Sequence, residues 1–267
     1  MVAEVQLTVL CDNHGSDVLQ MEHGLAFWIE TPERTLLFDT GSGQTLAQNA
    51  EHLRIPLDRC ERIGRSHGHY GHTGGLSLLW QQGVRCPVMA HPSAILPRYS
   101  RHSDKPVRSI GMPTEIVSQL WRLPSSLRHW CIEPQLQAPY WGSSGEIPRT
   151  DPLEDVGGPF FLDAEGFVPD GIPDDLALWF NTPRGLVIVL GCCHSWLINT
   201  ITHIRRLTGV YKMAGVIGGL HLLHASEPRL AHTLDFLRQC QLDYVRLGHC
   251  TGDGVIERIQ RELPGVD

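Results

Sequence analysis

Three histidines occur within the six residues 67–72, in a segment that is otherwise rich in glycine. His67, His69 and His72 are separated by small residues and by Tyr70, and Gly74-Gly75 follows them. Imidazole is the commonest side-chain ligand of metal ions, and burying three imidazoles without polar partners would be unfavourable. Glycine permits the tight turns that let such rings converge. The segment therefore predicts a metal site rather than a surface cluster of histidines.

The composition excludes several classes of partner. The chain has 267 residues and a net charge of −7, so it offers no basic field for a nucleic-acid backbone. Its eight cysteines form no CxxC pair, and a chain of this length needs no disulfide framework. We therefore expect reduced thiols in a cytoplasmic protein. No apolar run is long enough to span a membrane, and the N-terminus lacks the pattern of a signal peptide. We expect a small-molecule substrate, and the oligomeric state stays open.

Apolar periodicity predicts alternating strands and helices on either side of a long irregular segment. In the first half, the predicted strands are 5–10, 25–30, 35–39 and 87–92, and the predicted helices are 44–54 and 76–81. In the second half, the predicted strands are 176–180, 186–190, 215–217 and 242–247, and the predicted helices are 196–207, 227–239 and 254–263. Residues 93–172 keep many aromatic side chains, so we interpret them as an insertion that shapes a pocket.

Three predicted strands of the second half each end in a glycine-containing loop that carries a histidine. These histidines are His194, His221 and His249. In layered α/β folds, ligands bind beyond the strand ends, where loops converge. A single histidine in such a place is more often a hydrogen-bonded turn residue. Together with the 67–72 segment, the pattern favours His194 and His249 as metal ligands and leaves His221 open.

Two further residues near strand ends are candidates for the same site. Asp39 closes a predicted strand; it either forms a turn or orients a metal-bound imidazole, and we list it with His72 as a catalytic candidate. Cys192 follows an apolar strand, where a cysteine is either a core residue or a thiolate ligand. Both interpretations of Cys192 stay open.

These motifs in combination resemble the metallo-β-lactamase superfamily, whose signature is His-x-His-x-Asp-His after a strand. The resemblance rests on Leu36–Gly41 and on the histidine segment 67–72, and it sharpens further along the chain. The runs 191–194 (GCCH), 217–222 (IGGLHL) and 248–252 (GHCTG) resemble the branch named for dihydropterin-6-yl-methyl-(ribofuranosyl)aminobenzene phosphate synthase. The resemblance implies an α/β (α+β) fold, namely a four-layer αβ/βα sandwich with two mixed sheets, in one domain over 1–267.

The resemblance also implies one or two bound metal ions, most often zinc and sometimes iron or manganese. By position, His67 and His69 match ligands of the first metal, and His72 matches a ligand of the second. His194, His221 and His249 stand where the branch keeps its later histidines, without an assignment to either ion. The superfamily's aspartate before the last histidine of the signature is Gly71 here. The second site is therefore lost, rebuilt by Cys192 or Asp175, or part of a protein that is no longer a catalyst.

Three functions follow as hypotheses. The first is a metal-dependent hydrolase that acts on a small anionic substrate through a metal-bound water, with Arg98, Arg101 and Arg108 available for the anionic group. The second is transfer of a pterin-methyl group to an arylamine, as the branch name implies. The third is a non-catalytic ligand-binding protein on a degenerate metal site. If the scaffold is intact, replacing Gly71 with aspartate should raise both metal content and ester hydrolysis.

Overall fold

The computed structural model describes residues 4–264 and 266, which form two compact units. The first unit comprises residues 4–131 and Gly158–Asp174, and the second comprises Ile132–Gly157 with the described residues from 175 onwards. The prediction of one domain over 1–267 includes residues 1–3, 265 and 267, which lie outside the described residues. That prediction stays untested.

The first unit is built on a mixed sheet of six described strands. In spatial order they are β1 (Gln6–Cys11), β2 (Ala26–Glu30), β3 (Thr35–Phe38), β4 (Arg62–Gly64), β5 (Val88–Ala90) and β8 (Arg128–Trp130). The first three strands pair antiparallel, and β3, β4, β5 and β8 pair parallel. The carboxyl ends of β3 and β4 therefore lie side by side, and the histidine segment follows β4 directly.

Four helices and a small second sheet complete the first unit. The helices are α1 (Leu46–His52), α2 (Tyr70–Thr73), α3 (Leu76–Gln81) and α4 (Thr114–Arg122). The small antiparallel sheet contains β11 (Phe160–Phe161), β6 (Tyr99–Ser100) and β7 (Arg108–Ser109) in that order. A hydrophobic core packs α1, α3 and α4 against the large sheet, with Trp28, Leu37 and Leu76 at most 1% exposed.

The second unit contains another mixed sheet of six described strands. In spatial order they are β15 (Tyr244–Leu247), β14 (Met213–Gly218), β13 (Gly185–Leu190), β12 (Ala177–Thr182), β10 (Trp141–Ser143) and β9 (Gln135–Ala138). The three strands β13, β14 and β15 run parallel, whereas the others pair antiparallel. Every residue of β13 is buried, which explains its unbroken apolar sequence.

Two helices connect the three parallel strands of the second unit, and a third helix follows the last of these strands. They are α5 (Leu197–Thr208), α6 (Glu227–Cys240) and α7 (Asp253–Glu262). Their apolar faces, including Ile201, Leu234 and Ile259, join the strand residues in one core. The strand–helix alternation brings the loops after β13, β14 and β15 to one edge of the sheet, because parallel strands end on the same side.

The strands and helices predicted outside 93–172 are confirmed, with small differences at their ends. Inside 93–172, the structure contains more order than the sequence indicated. The helix α4 and the strands β6 to β11 all lie there, and β8, β9 and β10 belong to the two large sheets. These strands are two to four residues long, too short to show a periodic pattern.

The cysteines and the lengths of the helices bear on what the described residues can form. All eight cysteines are free thiols, and Cys60 and Cys86, whose sulfur atoms are 4.0 Å apart, are the pair in direct hydrogen-bond contact in the first unit. Among the described helices, the longest has 14 residues, and none has the length and apolar character needed to cross a bilayer.

A buried carboxylate caps the N-terminus of α5. Glu154 accepts hydrogen bonds from the backbone N–H groups of Ile198, at 3.0 Å, and Asn199, at 2.8 Å. The side chain satisfies two amides that have no partner within the helix. Burial nevertheless raises the pKa of Glu154 to about 7, and the two amide hydrogen bonds only partly oppose that shift. The folded state therefore binds a proton that the unfolded chain releases at lower pH.

We predict that Glu154 makes the protein less stable as the pH rises from about 4.5 to 7. The raised pKa stabilises the folded state below the unfolded pKa, and this contribution, on the order of 3 kcal/mol, disappears as the carboxyl group ionises. In Glu154→Gln, urea denaturation should show a weaker fall in the free energy of unfolding over this pH range. Glu257→Gln, which changes an exposed glutamate of α7, should keep the native slope. Identical pH slopes for the native protein and Glu154→Gln would contradict the assignment.

Candidate metal centre

The histidine segment of the first unit forms a buried cluster of three rings. His67 is fully buried, His72 is 1% exposed and His69 is 9% exposed. The ring centroids of His67 and His69 are 4.5 Å apart, and those of His67 and His72 are 4.2 Å apart. A Cβ atom on Gly68 would lie 2.1 Å from the carbonyl oxygen of Ala94, so this position requires glycine. The expected convergence of the three imidazoles is therefore present within this unit.

Asp39 holds the end of β3 against the histidine segment. Its carboxylate accepts hydrogen bonds from the Ser66 N–H at 2.7 Å, the Ser66 hydroxyl at 2.5 Å and His72 Nδ1 at 2.7 Å. Arg65 Nη2 lies 3.8 Å from the same carboxylate, and burial lowers the pKa of this arginine to about 10. Asp39 adopts a left-handed φ of 61°. These contacts place the Asp39 carboxylate against His72, and its orienting role stays a prediction.

The hydrogen bonds of Asp39 determine which ring nitrogen donates a hydrogen bond in two of the imidazoles. A hydroxyl has one proton, and Ser66 gives its proton to Asp39, so Ser66 Oγ must accept from His67 Nδ1 at 2.9 Å. His72 Nδ1 likewise donates to Asp39. When these rings are neutral, the proton lies on Nδ1 and the Nε2 atom keeps a lone pair, which is the form that binds a metal ion.

The donor atoms of this cluster fit a metal ion of the zinc type. His67 Nε2 and His69 Nδ1 face each other at 3.0 Å. Two nitrogens at about 2.05 Å from one tetrahedral ion lie roughly 3.3 Å apart, close to this separation. A carboxylate behind a ligating imidazole, as Asp39 stands behind His72, is the usual support of such a ligand. The chemistry of this donor set therefore suits a divalent ion with nitrogen ligands.

A buried ion-pair network anchors the backbone of the histidine segment. Asp174 accepts a hydrogen bond from the Gly68 N–H at 2.7 Å and pairs with Arg98, whose Nη1 lies 3.0 Å from it. Arg98 Nε also lies 3.1 Å from Asp170. Arg98 is fully buried, and two carboxylates neutralise it. Its role is therefore to support the segment, not to hold a substrate anion as the sequence suggested.

In the second unit, the predicted histidines follow the parallel strands as expected. His194 lies after β13, His221 after β14 and His249 after β15. The rings of His194 and His221 are 4.3 Å apart, and His194 Nδ1 donates to the Val156 carbonyl at 3.2 Å. His221 and His249 both have left-handed φ angles, 50° and 51°. Backbone strain of this kind is concentrated at functional sites.

Two cysteines lie beside His221. The sulfur atoms of Cys192 and Cys250 and a ring nitrogen of His221 all lie within 4.8 Å of one another. Burial alone would raise the pKa of the Cys250 thiol, but hydrogen bonds with Cys192 and His221 lower that pKa well below its ordinary value. Burial lowers the pKa of His221, and its hydrogen bond and charge interaction with Cys250 reverse that shift and raise it. Cys192 is thus part of a polar cluster and not only of the core.

Asp175 was a candidate to replace the missing aspartate. Its Oδ2 accepts a hydrogen bond from the Ser195 N–H at 2.7 Å, and burial raises the pKa of the carboxyl group to about 6. Within the described residues, Oδ1 of Asp175 has no hydrogen-bond partner. Asp175 therefore braces the loop that carries His194 and keeps one oxygen available for a further contact.

The predicted site residues thus form two groups, one within each unit. The first contains Asp39, His67, His69 and His72, and the second contains Cys192, His194 and His221, with His249 buried after β15. That both groups serve the same ions stays a prediction. Sequence reasoning missed Ser66, Asp174 and Cys250, although Ser66 and Cys250 are neighbours in sequence of predicted ligands, and this adjacency was the available signal.

The chain belongs to the metallo-β-lactamase superfamily. The profile of the Metallo-beta-lactamase superfamily matches residues 21–180. The fold is the metallo-β-lactamase fold with mixed sheets, as the resemblance implied. Proteins of this superfamily generally bind divalent metal ions, and most are enzymes.

Particular relatives narrow the comparison. The chain is 26% identical to the 7,8-dihydropterin-6-methyl-4-(beta-D-ribofuranosyl)-aminobenzene-5'-phosphate synthase of Methanocaldococcus jannaschii, over 86% of this chain and 81% of that protein. It is 27% identical to an uncharacterized protein of the same organism, over 96% and 94%. The crystal structure of Tm1679, a metal-dependent hydrolase of the beta-lactamase superfamily, matches with a TM-score of 0.82 and 25% identity, over 98% of this chain and 94% of that one.

We predict that Asp39→Asn weakens metal binding by about 10- to 100-fold, the usual effect of losing a residue that orients a metal-bound imidazole. Asparagine cannot accept all three of the hydrogen bonds that fix His72 and Ser66. Titration with zinc against a competing chelator measures the change. Asp58→Asn, at an exposed carboxylate of the same unit, serves as the control. Unchanged affinity in Asp39→Asn would show that Asp39 does not act through the histidines.

A second prediction concerns Gly71, where the neighbouring backbone leaves little space for a side chain. A Cβ atom at this position would lie 3.0 Å from the His23 carbonyl oxygen and 3.4 Å from Gly24 Cα. Gly71→Ala and Gly71→Asp should therefore both lower the free energy of unfolding, by about 1–3 kcal/mol. Only the aspartate adds a ligand, so Gly71→Asp should retain more metal than Gly71→Ala in elemental analysis. Equal metal contents would indicate that other donors have rebuilt the second site.

Proposed function

We propose that this protein is a metal-dependent hydrolase that acts on a small anionic ester or phosphoester. The observation that carries the proposal is the buried set of His67, His69 and His72 with Asp39 behind it, which fits a divalent ion. A metallo-β-lactamase fold and 25% identity to a metal-dependent hydrolase support the same class of reaction. Within the second unit, Cys192, His194, His221 and His249 remain the ligands expected from the sequence.

When bound, the ion would supply Lewis acidity toward a carbonyl or phosphoryl oxygen. The chain's own residues prepare the site for it. Asp39 keeps the Nδ1 proton on His72 and, through Ser66, on His67, so that neither ring needs to reorganise on binding. Asp174 fixes the backbone at Gly68 between His67 and His69. Because these groups are buried, competing water is excluded from the hydrogen bonds that position the ligands.

Two observations favour an anionic substrate. The relative from Methanocaldococcus jannaschii has a name that specifies a 5'-phosphate in its product. In the second unit, Arg149 donates a hydrogen bond to the His194 carbonyl at 3.4 Å and therefore places a positive charge beside a proposed ligand. A guanidinium in this place suits a phosphate or carboxylate group.

The test compares metal content and activity in matched histidine variants. Protein loaded with zinc should contain at least one ion per chain and should hydrolyse a phosphoester or carboxylic ester from a chromogenic panel. In His67→Ala, both metal content and hydrolysis should fall, because one ligand is lost. His102→Ala, at an exposed histidine, should leave both unchanged. Less than half an ion per chain in the native protein, or hydrolysis that survives in His67→Ala, would contradict the proposal.

A second candidate function rests on the synthase relative, which aligns with 86% of this chain. That candidate is transfer of a pterin-methyl group to an arylamine. Fluorescence titration with a reduced pterin separates it from hydrolysis. Pterin binding without hydrolysis of any panel ester would favour the transferase, whereas the absence of pterin binding would remove it. Metal binding without either result would leave the non-catalytic ligand-binding alternative.

A further inference from the structure

The loops after three neighbouring parallel strands bring two cysteines and a histidine together in the second unit. Cys192 follows β13, His221 follows β14 and Cys250 lies in the short helical turn after β15. These strands are adjacent in the sheet, in the order β13, β14, β15, so their carboxyl ends share one edge. The convergence is therefore a consequence of the topology and not of one flexible loop.

The donor atoms of these three residues are spaced for one ion. The two sulfur atoms and a nitrogen of His221 lie within 4.8 Å of one another. A tetrahedral ion with Zn–S bonds of about 2.3 Å separates two sulfurs by roughly 3.8 Å. The group therefore needs to close by no more than about 1 Å to reach bonding distance. Rotamer adjustments of the cysteine side chains cover such a movement.

The backbone around this group leaves room for the sulfur atoms. A Cβ atom on Gly219 would lie 2.6 Å from Cys250 Sγ and 2.7 Å from the Gly191 carbonyl oxygen. Any other residue at 219 would displace the thiol of Cys250. Cys250 Sγ also lies 3.6 Å from the Cys192 carbonyl oxygen, which holds the two cysteine loops side by side.

We propose that Cys192, His221 and Cys250 form a sulfur-containing metal site within the second unit, which selects a thiophilic ion such as zinc over manganese or magnesium. The set shares Cys192 and His221 with the candidates from the sequence and adds Cys250, which was not among them. Two thiolates neutralise a divalent ion, and a Cys₂His set leaves a fourth position for water or substrate. Soft thiolate ligands favour zinc, whereas manganese and magnesium prefer carboxylates and water. The inference concerns metal choice and does not depend on hydrolysis being the reaction.

The test uses cobalt(II) as a spectroscopic probe in the full-length, reduced protein under anaerobic conditions. Thiolate ligands give cobalt a charge-transfer absorption in the near ultraviolet that nitrogen and oxygen ligands do not produce. The native protein should show this band, and Cys250→Ser and Cys192→Ser should each lose about half of it, since each removes one of two soft ligands. Cys240→Ser, at a buried cysteine outside the set, should keep the full band.

A native protein without the band, or a Cys250→Ser variant with the full band, would overturn the proposal. X-ray absorption at the zinc edge identifies the ligand atoms in the native protein, so the result does not depend on whether the variants fold. It should show a sulfur shell near about 2.3 Å, and a shell of nitrogen and oxygen alone would also overturn the proposal. In competition with manganese, Cys250→Ser should lose zinc preference by at least about tenfold. If the native protein shows the cobalt band but hydrolyses no ester, the proposed reaction is contradicted and the proposed metal site is not.

Discussion

The carboxylate of Asp39 is the constraint on which the candidate site of the first unit depends. A buried charge is tolerated only when hydrogen bonds and opposite charge surround it. Three hydrogen bonds from Ser66 and His72, with Arg65 at 3.8 Å, meet that requirement. The same contacts tie the end of β3 to the segment after β4 and decide which nitrogen of each imidazole carries the proton. Removing the carboxylate would therefore disturb both the packing of this edge and the lone pairs of the ligands.

Long and regular elements could be predicted from the sequence because their burial leaves a clear pattern. The unbroken apolar run of β13 and the apolar face of α5, which recurs every three to four residues, are examples. Both elements lie where the periodicity predicted them. The strands between 93 and 172 could not be predicted, because two to four residues are too few for a period. Their conformation is set by pairing with distant strands, as β10 pairs with β12 through Trp141 and Phe180. Such pairing is decided by tertiary contacts that no local window contains.

In the candidate site, some residues could likewise be predicted from the sequence and others could not. His67, His69 and His72 could be predicted because metal ligands close in sequence leave a motif. Asp174 could not be, because it reaches Gly68 across 106 positions of sequence. Cys250 was also not predicted as a ligand, because Cys192 and His221 belong to other loops of the sequence. Only the parallel order of the strands brings the three residues together. Arg98 was expected to be available for the anionic group of a substrate, yet it is buried in ion pairs with Asp170 and Asp174.

The kinds of ligand atom that the chain offers indicate which metal ion it prefers, independently of any sequence motif. Gly71 removes a carboxylate from the signature of the superfamily, and the backbone of His23 and Gly24 now occupies part of that space. The chain therefore offers fewer hard oxygen ligands than the signature implies. It offers instead two cysteines beside His221 in the second unit, at the ends of parallel strands. A loss of oxygen donors and a supply of sulfur donors both shift affinity away from manganese and magnesium.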